Sequence, residues 1–482
     1  MEFLLRPSFE TAPNVKILIN IGALLDVPTG YYITGIYGES ILNGGLGLLT
    51  GVVGTGNLFK STVLNYMMLS AMDKIYYATP TSASTYDTEV NVHETALKRF
   101  TKNFERFKDL DLFEIGAWNI SDKTIYYANQ WYEVLKKFLK IKLDNTSKLL
   151  KETPFPTRDG KELLKIRIPT FSAIDSFSEF ETEDVAKIQN DNELGESGGN
   201  TIHMRQGLAK TRFLMELPAT TMAMEHFVLL TAHVGKDITM ASGPIPQAPV
   251  RKLAHLKNGD KIKGVTDKFF FLMSNCWQAI NATPMIKQDT KTTEYPKNPD
   301  DNRTGDLDLN MVTLRQLRAK AGPSGTMVEL IVSQKEGVLP SLTEFHYIKG
   351  MDRFGISGTL QHYNLDLLPD VKISRTTVRG KIDENPQLRR ALNITSELCQ
   401  LHQYQRHTDV LCKPLELYND LKAMGYDWDV LLNTRGWWTL NNDKQSIPFL
   451  STLDLLNMRA GKYTPYWLSK ETKLKNKDSK NE

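Results

Sequence analysis

The sequence predicts an α/β fold: a mainly parallel, twisted sheet flanked by helices, followed by a smaller, mostly helical C-terminal domain. Three observations carry this. A Gly-rich turn, Gly54 to Ser61, lies between a short apolar strand and an amphipathic helix. Apolar strands then alternate with helical patterns up to about residue 360, as in parallel sheets covered on both faces. From about residue 370 the pattern changes to short helices bearing Tyr426, Trp428, Trp437, Trp438, Tyr466 and Trp467.

Residues 1–45 read as an entry and oligomerisation segment ending in Asn43-Gly44-Gly45. Residues 46–53 form the strand that enters the turn, and Leu64, Met67, Met68 and Ala71 share one face of the helix that leaves it. A small-residue strand, about 80–88, runs to Tyr86-Asp87-Thr88-Glu89, and 92–142 reads as helices anchored by Trp118, Trp131 and Tyr132. The Lys-rich stretch 143–168, with Pro154 and Pro156, reads as an insertion. Next come a strand (170–175), a polar loop (176–200), a helix (202–216) and a buried-type strand (227–232). A second polar loop covers about 234–264, strands follow near 266–273, 311–318 and 325–333, and 286–310 is an exposed hairpin loop. The expected units are thus a large α/β core at 46–360, a small domain at 370–469 and a disordered basic tail at 470–482.

The 482 residues are 41% hydrophobic and 24% charged, an ordinary globular composition, and the net charge of +3 does not by itself declare a nucleic-acid binder. No apolar run approaches the roughly 18 residues of a membrane span. Three cysteines, and an N-terminus Met1-Glu2-Phe3-Leu4-Leu5-Arg6 without a basic-then-apolar pattern, lead us to expect a cytoplasmic protein with no membrane partner.

The turn Gly54-Thr55-Gly56-Asn57-Leu58-Phe59-Lys60-Ser61, followed by Thr62, matches the phosphate-binding loop G-x-x-x-x-G-K-[ST], except that Phe59 replaces the second glycine. Its backbone N–H groups and the helix N-terminus would cradle phosphate. Lys60 would reach the β- and γ-phosphates of ATP, and Ser61 would hold Mg²⁺. Asp175, expected on a strand beside the loop strand, is a second Mg²⁺-site candidate, and Glu89 is the candidate base for an attacking water. Each acid alone also fits an ordinary strand-end or loop residue; the order of all three favours chemistry.

On these residues the sequence resembles the RecA-type recombinases, and within them the phage UvsX-like branch. Phe59-Lys60-Ser61, Tyr86-Asp87-Thr88-Glu89, Ile174-Asp175-Ser176 and Leu230-Thr231-Ala232-His233 carry the likeness, over roughly residues 30–360. The resemblance implies a RecA-like P-loop core and a DNA-dependent ATPase. It implies that His233 senses the γ-phosphate, and that Arg318 and Lys320 reach a neighbouring protomer's ATP. It also implies filaments on single-stranded DNA that pair with duplex DNA, and a single-strand-binding protein or loading mediator as partner.

Within the second loop, Arg251, Lys252, Lys257, Lys261 and Lys263 form the expected DNA footprint. The first loop is acidic, with Glu179, Glu181, Glu183, Asp184, Asp191, Glu193 and Glu196, so only Arg205, Lys210 and Arg212 of the next helix are weak DNA candidates there. Cys399, His402, His407 and Cys412 offer zinc-ligand types but lack a closely spaced Cys pair, and read instead as a packed helical pair. Two other functions stay open. One is a hexameric replicative helicase of the DnaB class, against which the 45 residues ahead of the core argue. The other is a mediator that binds ATP and barely turns it over.

Overall fold

The alternating apolar runs fold into a ten-stranded sheet in a computed structural model that describes residues 15–158, 160–191, 199–236, 253–301, 303–359, 361–405, 409–440 and 447–468. The spatial order is Gly337–Val338, Met327–Ser333, Leu309–Ala319, Asn275–Pro284, Leu49–Gly54, His226–Lys236, Thr170–Asp175, Ala83–Asp87, Trp118–Asp122. From Asn275–Pro284 to Trp118–Asp122 all neighbours are parallel. The remaining strands of the row are antiparallel, and Asp260–Ile262 pairs antiparallel with the end of His226–Lys236.

Leu49–Gly54 and Thr170–Asp175 are buried along their whole length, as strands covered on both faces must be. The Lys60–Ile75 helix packs on one face of the sheet, its Val63, Leu64, Met67, Met68 and Ala71 fully enclosed. On the other face Trp131, Tyr132 and Leu135 of Ala128–Asp144 meet Phe213, Leu214 and Leu217 of Gly199–Met222. The C-terminal residues make a three-stranded sheet (Ile356–Gly358, Tyr363–Leu365, Leu368–Ile373) and then helices, of which Pro386–Tyr404 is the longest. Trp438, Leu440 and Phe449 leave that group and enter the main core, where the Trp438 indole N–H donates to the Leu18 carbonyl.

The structure corrects or adds to five sequence expectations. The run Lys268-Phe269-Phe270-Phe271-Leu272 was expected in a strand at 266–273; it is a helix, Asp267–Leu272, and the strand begins at Asn275. Short apolar runs carry no periodicity that separates the two. The polar loop 176–200 contains a 3-10 turn, Phe177–Glu179, and a helix, Glu183–Asp191. The helical reading of 92–142 hid an edge strand, Trp118–Asp122, whose Trp118 indole donates to Thr85 Oγ1 at 2.9 Å. The insertion 143–168 holds a hairpin, Leu150–Pro156 with Leu163–Arg167. The loop at 286–310 does join two antiparallel strands, but Tyr295 is fully buried and its hydroxyl pairs with His346 Nδ1.

Lys142 is a costly core residue. It is 3% exposed, and its ammonium donates to Thr170 Oγ1 (3.0 Å) and the Glu225 carbonyl (3.2 Å). Burial pulls its pKa down to about 7, against the pull of Glu225. The unfolded chain therefore binds more protons than the folded one between about pH 7 and pH 10, so stability rises with pH across that window. Lys142→Met keeps the stem and removes the charge. We predict a gain at pH 7 of up to about 4 kcal/mol, with the rise between pH 7 and 10 abolished, read from urea unfolding midpoints. A variant less stable than the parent at pH 7 would refute this account of Lys142.

Candidate active site

The parallel strands end side by side, where open α/β sheets bind ligands. The register places Gly54 opposite His233, Ile174 opposite Leu230 and Asp87 opposite Asp175, so the chemistry-bearing residues lie at one edge. Asp175 was expected beside the phosphate-loop strand. Instead the His226–Lys236 strand lies between them. Asp175 nonetheless lies near enough to Ser61, at the start of the helix, for that hydroxyl to lower its pKa, and it accepts from Thr231 Oγ1 on the intervening strand.

The loop between strand and helix has the backbone its sequence requires. A Cβ on Gly54 would lie 2.8 Å from the Ala279 carbonyl, so only glycine fits there, whereas Gly56 faces open space. Thr55, Gly56 and Asn57 are exposed, while Leu58, Phe59, Ser61 and Thr62 are half-buried. Phe59 caps the helix in the left-handed region, with φ 57°. This is the conformation for which the usual loop carries glycine, and a Cβ there costs about 1–2 kcal/mol. The Phe59 ring packs against the main core, which offsets part of that cost.

Lys60 is 8% exposed and donates from Nζ to the Thr55 carbonyl at 2.8 Å, folded over its own loop. Burial lowers its pKa, while the Asp175 and Glu89 carboxylates pull it up. Asp175 is raised by burial, against hydrogen bonds from Ser61 and Thr231. Glu89 would also be raised by burial, but His233, Ser176 and Lys60 outweigh this and hold its carboxyl below the usual range. His233 Nε2 lies 2.7 Å from Glu89 Oε1.

Several further residues complete the site, and in the sequence they stand only as motif neighbours of Glu89 and Asp175. Asp87 fixes the Glu89 loop by accepting the Glu89 and Val92 N–H groups at 3.0 and 2.6 Å. Thr88 Oγ1 donates to the Ser176 carbonyl and accepts the Ser176 N–H, each at 2.8 Å, which ties the two strand ends together. The Asp175–Ser176 peptide bond is cis. The Ser176 hydroxyl is buried with no hydrogen-bond partner of good geometry among the described residues, although it lies near enough to Glu89 to help lower its pKa. Thr231 stands two residues before His233 and so shares its strand face.

Ser61 Oγ and the Asp175 carboxylate form a hard-oxygen pair of the kind Mg²⁺ prefers, and the upward shift of Asp175 is what a nearby cation would reverse. The two residues therefore fit a Mg²⁺ ion. Among the described residues no cluster of three or more His, Cys, Asp or Glu side chains is arranged to hold a metal. Cys399 and Cys412 are buried, the His402 ring is engaged through Nε2 by the Cys412 carbonyl, and His407 lies outside the described residues.

The basic residues divide into three groups. Lys257, Lys261 and Lys263 are exposed on the segment that returns along His226–Lys236, while Arg251 and Lys252 lie outside the described residues. Lys210 is 3% exposed and donates to the Ser178 carbonyl, so it is unavailable to DNA; Arg212 is exposed but paired with Glu216. Arg318 and Lys320 lie at the opposite edge of the sheet, at the start of Asn275–Pro284, hydrogen-bonded to the carbonyls of Met273, Phe271 and Leu272. The fold does not bring them to Lys60. In the acidic segment Glu183 pairs with Lys187, and Glu193 and Glu196 fall outside the described residues. No helix among the described residues is long and apolar enough to cross a membrane. No protein-family model and no curated protein matches this chain.

Proposed function

We propose that this chain is an ATP-hydrolysing DNA recombinase of the RecA type, resembling the phage UvsX-like branch, with its P-loop core spanning 46–360. The observation that carries the reading is the convergence of Lys60, Ser61, Asp175, Glu89 and His233 on one strand edge around a strand–loop–helix phosphate cradle. The loop amides and Lys60 bind the β- and γ-phosphates once Nζ leaves the Thr55 carbonyl. Ser61 and Asp175 would hold Mg²⁺, which neutralises charge on the phosphoryl oxygens. Glu89 orients a water and takes its proton as the water oxygen bonds to the γ-phosphorus. The bond to the bridging oxygen breaks, and its electron pair leaves with ADP. His233, bonded to Glu89 and in register with Gly54, reports the presence of the γ-phosphate to the basic segment beyond it.

In this reading ATP-bound protomers assemble as filaments on single-stranded DNA in the cytoplasm, aided by a loading mediator. They pair the strand with a homologous duplex, and hydrolysis then loosens the grip. The test measures ATP turnover with and without single-stranded DNA for the parent and Lys60→Ala, with negative-stain images of the same samples. We expect DNA-stimulated turnover in the parent, none in Lys60→Ala, and filaments with ATP. A parent that forms closed rings and unwinds duplex directionally would replace this reading with the helicase. A parent that binds no nucleotide would end both.

A further inference from the structure

Ser178 is a junction of three segments. It lies in the Phe177–Glu179 turn, two residues after Ser176. Its hydroxyl accepts the backbone N–H of His233 at 2.9 Å and donates to the Lys263 carbonyl at 2.9 Å. Its own carbonyl accepts from Lys210 Nζ at 2.6 Å, on the Gly199–Met222 helix. Gly264 presses on the same turn. It holds φ +65°, and a Cβ there would lie 2.6 Å from the Ser178 carbonyl oxygen, so only glycine lets the returning segment approach this closely.

Two features make this more than local packing. His233 acts in both directions: its ring holds Glu89, while its N–H holds Ser178. Any displacement of His233 as Glu89 engages a nucleotide is therefore transmitted to Lys263, whose N–H also returns to the His233 carbonyl at 2.7 Å. Lys210 is the second. Burying an ammonium is costly, and an apolar stem would fill the same space without that cost. Among the described residues no carboxylate lies within ion-pair distance of Lys210, and Glu179 and Glu181 act on it only at longer range. Its ammonium lies over the Phe177 ring and points its donor at Ser178.

Resting on the recombinase reading above, we propose that Ser178, fixed by Lys210, is a positioning residue that couples the nucleotide site to the basic segment carrying Lys257, Lys261 and Lys263. Lys210, which the sequence offered as a DNA contact, is then an internal tether.

The test uses the full chain with polythymidine single strands. It compares the parent, Lys210→Met, Lys210→Arg and Ser178→Ala for basal and DNA-stimulated ATP turnover, and for DNA affinity with a non-hydrolysable ATP analogue against ADP. Lys210→Met and Ser178→Ala should keep basal turnover. They should lose stimulation, and the nucleotide dependence of DNA affinity, by a factor on the order of ten, a common size for coupling between two sites. Lys210→Arg, which keeps a donor, should retain both. Ser178→Ala carries the test if Lys210→Met does not fold. Full stimulation in Lys210→Met or Ser178→Ala overturns the proposal. So does equal loss in Lys210→Met and Lys210→Arg, because packing rather than the hydrogen bond would then be responsible. A parent with no DNA-stimulated turnover instead sinks the recombinase reading, and this inference with it.

Discussion

If the chain hydrolyses ATP as proposed, Glu89→Gln should lower turnover by about 10²- to 10⁴-fold, the range expected for loss of a general base, while ATP binding is retained. Glutamine preserves the shape of the side chain and can still meet His233 Nε2, so the Glu89–His233 contact at 2.7 Å survives and only the proton acceptor is lost. The loop is held independently by Asp87 through the Glu89 and Val92 N–H groups. In the proposed reading binding rests on Lys60 and the loop amides, which the substitution does not touch. Single-turnover hydrolysis and a fluorescent-nucleotide titration separate the two quantities. The pH profile adds a second check. Because the Glu89 carboxyl is held below its ordinary range, it stays ionised throughout the neutral region. In the proposed reading its contribution to turnover is therefore full at neutral pH and lost only as pH falls through a range below that of an ordinary glutamate. An acid limb near neutrality that vanishes in Glu89→Gln would contradict this. Parental turnover in Glu89→Gln would remove Glu89 from the chemistry and favour the weakly hydrolysing mediator.

The strand–turn–helix around Gly54–Ser61 was legible because every determinant is local. Strand, turn and helix are contiguous in sequence, and the steric demand at Gly54 falls on a residue the motif already names. Asp175 and Glu89 were legible as acids at strand ends, since a strand's end is a local property. Their neighbours were not. Which strand lies beside which is decided by crossovers and long-range burial, so the strand between Gly54 and Asp175 could not be read from the chain. The apolar run Phe269-Phe270-Phe271 satisfied a strand's composition, but only Phe269 is buried among the described side chains of that helix, while Phe271 is 54% exposed. A strand buried on both faces would have enclosed all three. Lys210 failed for another reason. A lysine in a polar helix is read as solvated, and only the tertiary position of the Ser178 carbonyl draws it inside.

Arg318 and Lys320 supply the second large effect, and their position fixes its form. Arg318 is opposite Cys276, whereas Gly54 is opposite Ala279, so Arg318 lies at the far end of strands that run about 10 Å or more towards the phosphate loop. Its contacts, at 3.2 and 3.5 Å to the Met273 and Phe271 carbonyls, are long and hold the guanidinium loosely. Burial, then Arg318 and Lys16, lowers the Lys320 pKa, so an anion at this edge would relieve a repulsion the isolated protomer carries. If these cations act on ATP, they act on a neighbour's. The double variant Arg318→Ala/Lys320→Ala should therefore lose roughly 10³-fold or more in DNA-stimulated turnover, while each protomer still binds ATP. Mixing it with Lys60→Ala is the decisive measurement. The double variant brings intact phosphate loops and Lys60→Ala brings intact cations, so random head-to-tail assembly rebuilds about a quarter of the interfaces. Turnover in the mixture well above either variant alone is the expected result. No recovery, with filaments still visible, would mean that the cations serve the fold of their own protomer rather than a neighbour's phosphates.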